Sequence, residues 1–159
     1  VTRGEFTAMV ARALGLRTEG AAAAFPDAGY GYALSGAVQA AYERGLVNGY
    51  EDGSFRPNER ITREQAFAVV ARALRYTALS HAALKAPDFE RAAANFTDRG
   101  EVSDWAKDSM ARLLHTGIVK GRSDSLLAPN ERITRAEAAA LIYQLLTRAE
   151  LIGFYDTDR

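Results

Sequence analysis

Three arginines stand out by their neighbours: Arg3 in "VTRGE", Arg63 in "ITREQ" and Arg135 in "ITRAE". Each follows a threonine suited to cap a helix. Glu5, Gln65 and Glu137 stand three residues after those threonines and complete a capping box each time. The arginine is therefore expected at the first helical position. The helix macrodipole puts partial positive charge there, so an exposed cation costs about 0.3–1 kcal/mol. Two arrangements resolve the conflict. In one, each guanidinium swings away to a carboxylate such as Glu59 or Glu131 in the preceding loop. In the other, guanidinium and unpaired helix N–H groups form one anion site, able to grip a carboxylate or phosphate through two parallel hydrogen bonds. Glycines in the loop before each arginine would let a flat ligand approach the backbone closely. Tyr50, Phe55 and Trp105 offer ring faces on which a sugar can lie, with ordinary packing as their other reading.

The elements that position these residues are written as a repeat. Shifting the chain by 72 residues lays Gly45 on Gly117, Gly49 on Gly121, Asp52 on Asp124 and the string "PNERITR" at Pro57 on its copy at Pro129. Such self-similarity marks repeated structural units. Upstream, "FPD" at Phe25 matches "FTD" at Phe96. Segments 34–44 and 105–116 read as helices stopped by Gly45 and Gly117, glycines suited to a left-handed C-terminal cap. From each capping threonine, apolar residues fall at +4, +7, +8, +11 and +12, one face of an α-helix. Phe6, Met9 and Val10 begin the first such face, Ala66, Val69 and Val70 the second, and Ala138, Leu141 and Ile142 the third. Helices are expected near 2–15, 62–78 and 134–149. They should bury these faces against each other in an all-α, pseudo-threefold bundle.

Composition narrows the chemistry. The 159 residues, 48% hydrophobic, suffice for a real core. Twenty basic residues balance twenty acidic ones, which argues against a nucleic-acid binder. No apolar run is long enough to cross a bilayer. With no cysteine there is no disulfide, thiolate metal site or cysteine nucleophile. His81 and His115 lie beside no repeated motif, and no carboxylate pair is marked out for glycosidase work. "EDGS" at Glu51 resembles a calcium loop but lacks the alternating ligands and terminal Glu. The reading is non-catalytic, with no metal and no cofactor. The chain opens inside a motif, so a segment before Val1 is expected.

The order "FTDRGEVSDWA…GIVKG…PNERITRAE", with its partner "FPD…GLVNGYEDGSFRPNERITRE", resembles the S-layer homology domain. The resemblance implies an α-helical three-pronged spindle in a secreted protein of the bacterial cell wall or S-layer. It implies anchoring by a secondary cell-wall polysaccharide, with a pyruvylated N-acetylmannosamine as the preferred epitope. Grooves between repeats would use the motif arginines with loop glycines: Arg3, Arg63, Arg135, Gly49 and Gly121. Tyr50, Asp52, Ser54 and Trp105 complete the candidate ligand-binding set. The expected organisation is the closing helix of a truncated first repeat (1–24), a second repeat (25–79), an insertion (80–95), a third repeat (96–150) and a tail (151–159), where "GFYDTDR" resembles the start of a further unit. The other open reading is a module for protein interaction and self-assembly without direct glycan binding. Arg63 is expected to hold the best-formed site, because a full loop, "GYEDGSFRPNER", precedes it. Arg135 follows "DSLL" in place of "DGSF", which threatens its groove, and Arg3 has no loop before it.

Overall fold

Three helices begin as their caps dictate. In the computed structural model, which describes residues 1–18 and 23–150, α1 spans Arg3–Ala13, α3 Arg63–Ala73 and α7 Arg135–Arg148. Thr2, Thr62 and Thr134 each accept from the third helical N–H, and Glu5, Gln65 and Glu137 each reach back to the threonine N–H. Between them lie α2 (Ser35–Glu43), α4 (Ser80–Ala83), α5 (Phe89–Ala92) and α6 (Asp104–His115). No strand forms among the described residues; two isolated bridges, Thr2 with Arg60 and Thr62 with Arg132, are all the β pairing present. The chain is all-α, as expected. The tail 151–159 lies outside the described residues.

α3 is shorter than its periodicity suggests. After Ala73 it tightens into a 3-10 turn at Leu74–Tyr76, where the Thr77 hydroxyl donates to the Leu74 carbonyl and ends the helical ladder. Pro87 separates α4 from α5 within the insertion. Gly45 and Gly117 follow α2 and α6 with φ of 64° and 70°, the left-handed geometry that a β-carbon would penalise.

The apolar faces of α1, α3 and α7 are buried, and each of these helices contacts the other two. The more extensive packing is of α1 on α2 and of α3 on α6. Packing therefore crosses the sequence repeat: a Thr-Arg helix sits against the helix and loop that follow it in the chain. The backbone shows the same rule twice. Arg3 N–H donates to the Glu59 carbonyl and Gly4 N–H to that of Pro57, at 2.8 and 2.9 Å. Arg63 and Glu64 N–H donate to Glu131 and Pro129, at 2.8 and 3.0 Å. Each "PNER" string thus closes over the start of the preceding Thr-Arg helix.

The F-x-D motifs hold these loops. The Asp27 carboxylate accepts from Phe55 and Arg56 N–H, and that of Asp98 from Leu127 and Ala128 N–H. Arg56 and Ala128 have positive φ, 58° and 51°, a strained backbone that the aspartate clasp stabilises. Phe25 and Phe96 pack under the loops against Gly49 and Gly121. A β-carbon at either glycine would come within 2.4 or 2.5 Å of the aromatic ring. Those glycines are needed for packing first.

Candidate functional site

The N-termini of α1 and α3 do not offer free donors. At α1 and α3 the first two N–H groups are bonded to loop carbonyls and the third to the capping threonine. At Arg3 and Arg63 that corrects the expectation of an anion site built on unpaired N–H groups. The loop carbonyls reach those donors first, because Phe55 and Leu127, both 0% exposed, pin the loops into the core beside each helix start.

The arginines work with the loop that follows them, not the one before. Arg3 Nε donates to the Phe55 carbonyl at 3.0 Å and Nη2 to that of Asn48 at 2.6 Å. Its guanidinium lies 4.7 Å from the Phe55 ring centroid and 5.1 Å from that of Tyr50. Arg3, with no loop before it, therefore has the complete "GYEDGSF" loop that follows. Arg63 has the "DSLL" loop instead, with Nε donating to Leu127 at 2.9 Å. The missing turn glycine does not unmake that loop. Arg122 N–H donates to the Leu126 carbonyl just as Tyr50 N–H donates to Ser54, and Leu127 fills the core position of Phe55.

Two related clefts result. Groove A, about 310 Å³, is lined by Arg3, Asn48, Gly49 and Tyr50, by the α3 face Gln65, Ala68, Val69 and Arg72, and by Trp105. Groove B, about 250 Å³, places Arg63, Lys120, Gly121 and Arg122 against the α7 face of Glu137, Ala140, Leu141 and Gln144. The volumes sit near the low end of small-molecule sites, about 300–1,000 Å³. Charge separates them. In groove B, Glu137 accepts from Arg63 Nη1 at 2.9 Å and from Arg122 Nη2 at 3.1 Å, while Arg122 also pairs with Glu131. Arg63 is 5% exposed and its cation is already matched. The ion pair weighed from the sequence does form there, but with Glu137 rather than a residue of the loop before Arg63. Burial alone would raise the Glu137 pKa. Hydrogen bonds from Thr134 and Arg122 and the charge of Arg63 outweigh it and hold the pKa below the ordinary carboxylate value.

In groove A, neutral Gln65 stands where groove B has Glu137, and Tyr50 where it has Arg122. No carboxylate lines the groove. Arg3 and Arg72 have no carboxylate within 4.0 Å among the described residues. Burial lowers the pKa of Arg3 and outweighs the raising effect of Tyr50, and the neighbouring charge of Arg72 lowers it further. Two cations share one cleft without an anion.

The remaining expected residues divide. Trp105, 56% exposed, is an open aromatic face on the groove. The Tyr50 ring is less available, since the Arg56 guanidinium stacks 4.0 Å from its centroid. Asp52 and Ser54 line neither cleft. Ser54 N–H and hydroxyl both donate to Asp52 Oδ1, and Arg56 Nη2 to Oδ2 at 3.0 Å, a bracket within the loop. Arg135 is exposed and lines neither cleft. Asn48 and Arg72 are not singled out by the sequence, and Gln65 is marked there only as a capping residue. "VARAL" occurs at both Val10 and Val70, and that second repeat was the available signal for Arg72.

The bracket makes a pH prediction. Hydrogen bonds from Ser54, then from Arg56, bring the Asp52 pKa down to about 2. A carboxylate with a depressed folded pKa keeps its contribution above the unfolded value and loses it as pH falls through the folded one. An NMR titration should find Asp52 charged throughout pH 3–4, with loop amide shifts moving only near pH 2. A midpoint close to the ordinary aspartate value, about 3.9, would show that the bracket is not formed in solution.

Comparison with known proteins agrees with the repeat. The family model of the S-layer homology domain matches residues 24–67 and 95–139. The chain is 39% identical over 150 residues to an amylopullulanase of Thermoanaerobacterium thermosulfurigenes, covering 94% of this chain and 8% of that protein. It is 30% identical over 158 residues to the cellulosome-anchoring protein of Acetivibrio thermocellus, covering 96% of this chain and 33% of that one. It is also 30% identical over 131 residues to the surface-layer 125 kDa protein of Lysinibacillus sphaericus, 80% of this chain and 10% of that protein. The chain thus spans a third or less of each of these relatives.

Proposed function

From the premise that the chain belongs to the S-layer homology family, we propose that it anchors a longer surface protein by holding a pyruvylated secondary cell-wall polysaccharide in groove A. S-layer homology domains are non-catalytic modules that attach secreted proteins to the bacterial cell wall, so the finer question is which polymer feature is gripped and where. The observation that carries this reading is the pair of guanidiniums, Arg3 and Arg72, in a cleft that no carboxylate lines. A ketal-linked pyruvate keeps a free carboxylate on a sugar ring. That carboxylate would supply the missing anion, accept from the Arg3 Nη1 that the loop carbonyls leave free, and leave the ring to lie on Trp105. Asn48 and Gln65 add neutral polar groups for hydroxyls or the N-acetyl amide.

Groove B is the weaker candidate, because Glu137 would have to release Arg63 before an anion could bind. The experiment is co-sedimentation with purified wall polymer before and after mild acid removal of pyruvate. Binding should be lost with the pyruvate. Undiminished binding to the depyruvylated polymer would refute the proposal and favour an attachment that ignores the carboxylate.

A further inference from the structure

The insertion 80–95 has no counterpart elsewhere in the chain, and groove A makes no use of it. It forms one wall of a cleft of about 350 Å³ between the end of α3, α4 and the middle of α6. Its polar lining comes from Arg72, Arg75, Ser80, Asp108, Ser109 and Arg112. Arg72 also lines groove A, so the two clefts meet at one side chain. We propose that this cleft is a second acidic subsite for the same glycan strand, taking a carboxylate-bearing residue adjacent to the one held in groove A.

Three observations carry the proposal, which rests on the reading of groove A. The charges are uncompensated. Asp108 is the cleft's one carboxylate, and it is bonded to Arg112 at 2.8 Å. Arg72 and Arg75 have no carboxylate within 4.0 Å among the described residues. The two are also close to each other: burial lowers the Arg72 pKa and the charge of Arg75 lowers it further. Arg75 is held there by its Nε donating to the Arg72 carbonyl at 3.1 Å. Like charges kept together without a counter-ion favour an anionic ligand between or beside them. Finally, this basic pair is written once. The corresponding residues are Arg12 and Gly15 in the first Thr-Arg helix and Gln144 and Thr147 in the third. The basic pair and the insertion that walls it therefore occur together, at one helix of three.

A single sugar occupies groove A alone, whereas a strand with a second acid reaches both clefts through Arg72. The gain is in effective concentration, since the second contact becomes intramolecular once the first is made. Calorimetry on the full chain would compare three probes. One is pyruvylated N-acetylmannosamine. The second is an oligosaccharide carrying that residue and a neighbouring uronic acid, and the third is the same oligosaccharide with the uronic carboxyl reduced to the alcohol. The uronic acid form should bind tightest. Arg75→Ala should weaken it roughly 3–10-fold, a charge-assisted contact discounted for solvent, and leave the monosaccharide and the reduced form unchanged. Monosaccharide binding by the same variant reports that the fold is intact. Asp108→Asn, which removes the competing anion, should tighten only the uronic acid form. Equal affinity for the two oligosaccharides, or an Arg75→Ala loss shared by all three probes, would overturn the second subsite while groove A stands. Absence of any monosaccharide binding to the unaltered chain would overturn the groove A reading itself.

Discussion

Replacing Arg3 by alanine should weaken binding of a pyruvylated wall fragment by roughly 10–150-fold, the effect of losing one charge-assisted contact of about 1.5–3 kcal/mol. Arg3 is the arginine whose guanidinium lines the uncompensated cleft, with Nε and Nη2 spent on Phe55 and Asn48 carbonyls and Nη1 left for a ligand. Arg3→Lys should recover only part of the affinity, because an ammonium lacks the planar fork that bonds both loop carbonyls while leaving Nη1 for the ligand carboxylate. Arg72→Ala should also weaken binding, through the second cation of the groove. Arg63→Ala and Arg135→Ala should lose little. Arg63 is matched by Glu137, and Arg135 lines neither groove. Calorimetry with one fragment ranks all four positions. A loss at Arg63 equal to that at Arg3 would show that groove B opens for ligand despite its ion pair. An unchanged affinity in Arg3→Ala would remove the case for groove A.

For Arg63 the large effect should be on stability. Its side chain is 6% exposed and ties α3 to both the Leu127 carbonyl and Glu137. Cutting one partner from a fully buried pair costs about 3–5 kcal/mol. Glu137 is 26% exposed and keeps Arg122, so Arg63→Ala should cost about 2–4 kcal/mol, read as a lowered urea midpoint with unchanged slope. Arg63→Met combined with Glu137→Gln should be markedly less harmful than Arg63→Ala alone, since it removes the stranded charge and refills the volume. Arg3→Ala, whose guanidinium pairs with no buried carboxylate, should cost less than Arg63→Ala. A loss below about 0.5 kcal/mol for Arg63→Ala would mean that the pair merely offsets its own desolvation.

The comparison between Gln65 and Glu137 shows what was legible. Both are third helical residues closing a capping box, and the spacing of each from its threonine identifies that role without further information. What a capping residue does with its remaining hydrogen-bonding capacity depends on the loop that settles beside it. Beside Gln65 that loop brings Tyr50, whose hydroxyl accepts from Gln65 Nε2 at 3.4 Å; beside Glu137 it brings Arg122. A one-atom difference, amide against carboxylate, thus leaves the motif arginine of one groove without a carboxylate and pairs that of the other. The "DSLL" substitution looked more damaging than it is. The Asp98 clasp and Leu127 preserve the loop without the turn glycine, so the decisive differences, at Arg122 and Glu137, lie outside the stretch to which the sequence draws attention.

By itself the sequence determined the helices that start at Arg3, Arg63 and Arg135, their caps, their apolar faces, the glycine stops, the repeat and the family. All of these depend on interactions within one or two helical turns, or on similarity between segments, and both can be read along the chain. The tertiary structure alone decided that each Thr-Arg helix is covered by the loop that follows it, 52 residues on for Arg3 and 64 for Arg63. It also decided that the first N–H groups of α1 and α3 are bonded to loop carbonyls and that Arg3, rather than Arg63, faces a basic cleft lined by no carboxylate. Those outcomes come from burying Phe55 and Leu127 and from aspartate clasps that pin the loops. Contacts so distant in sequence carry no periodicity, so spacing could identify the arginines but not the loop that each would meet.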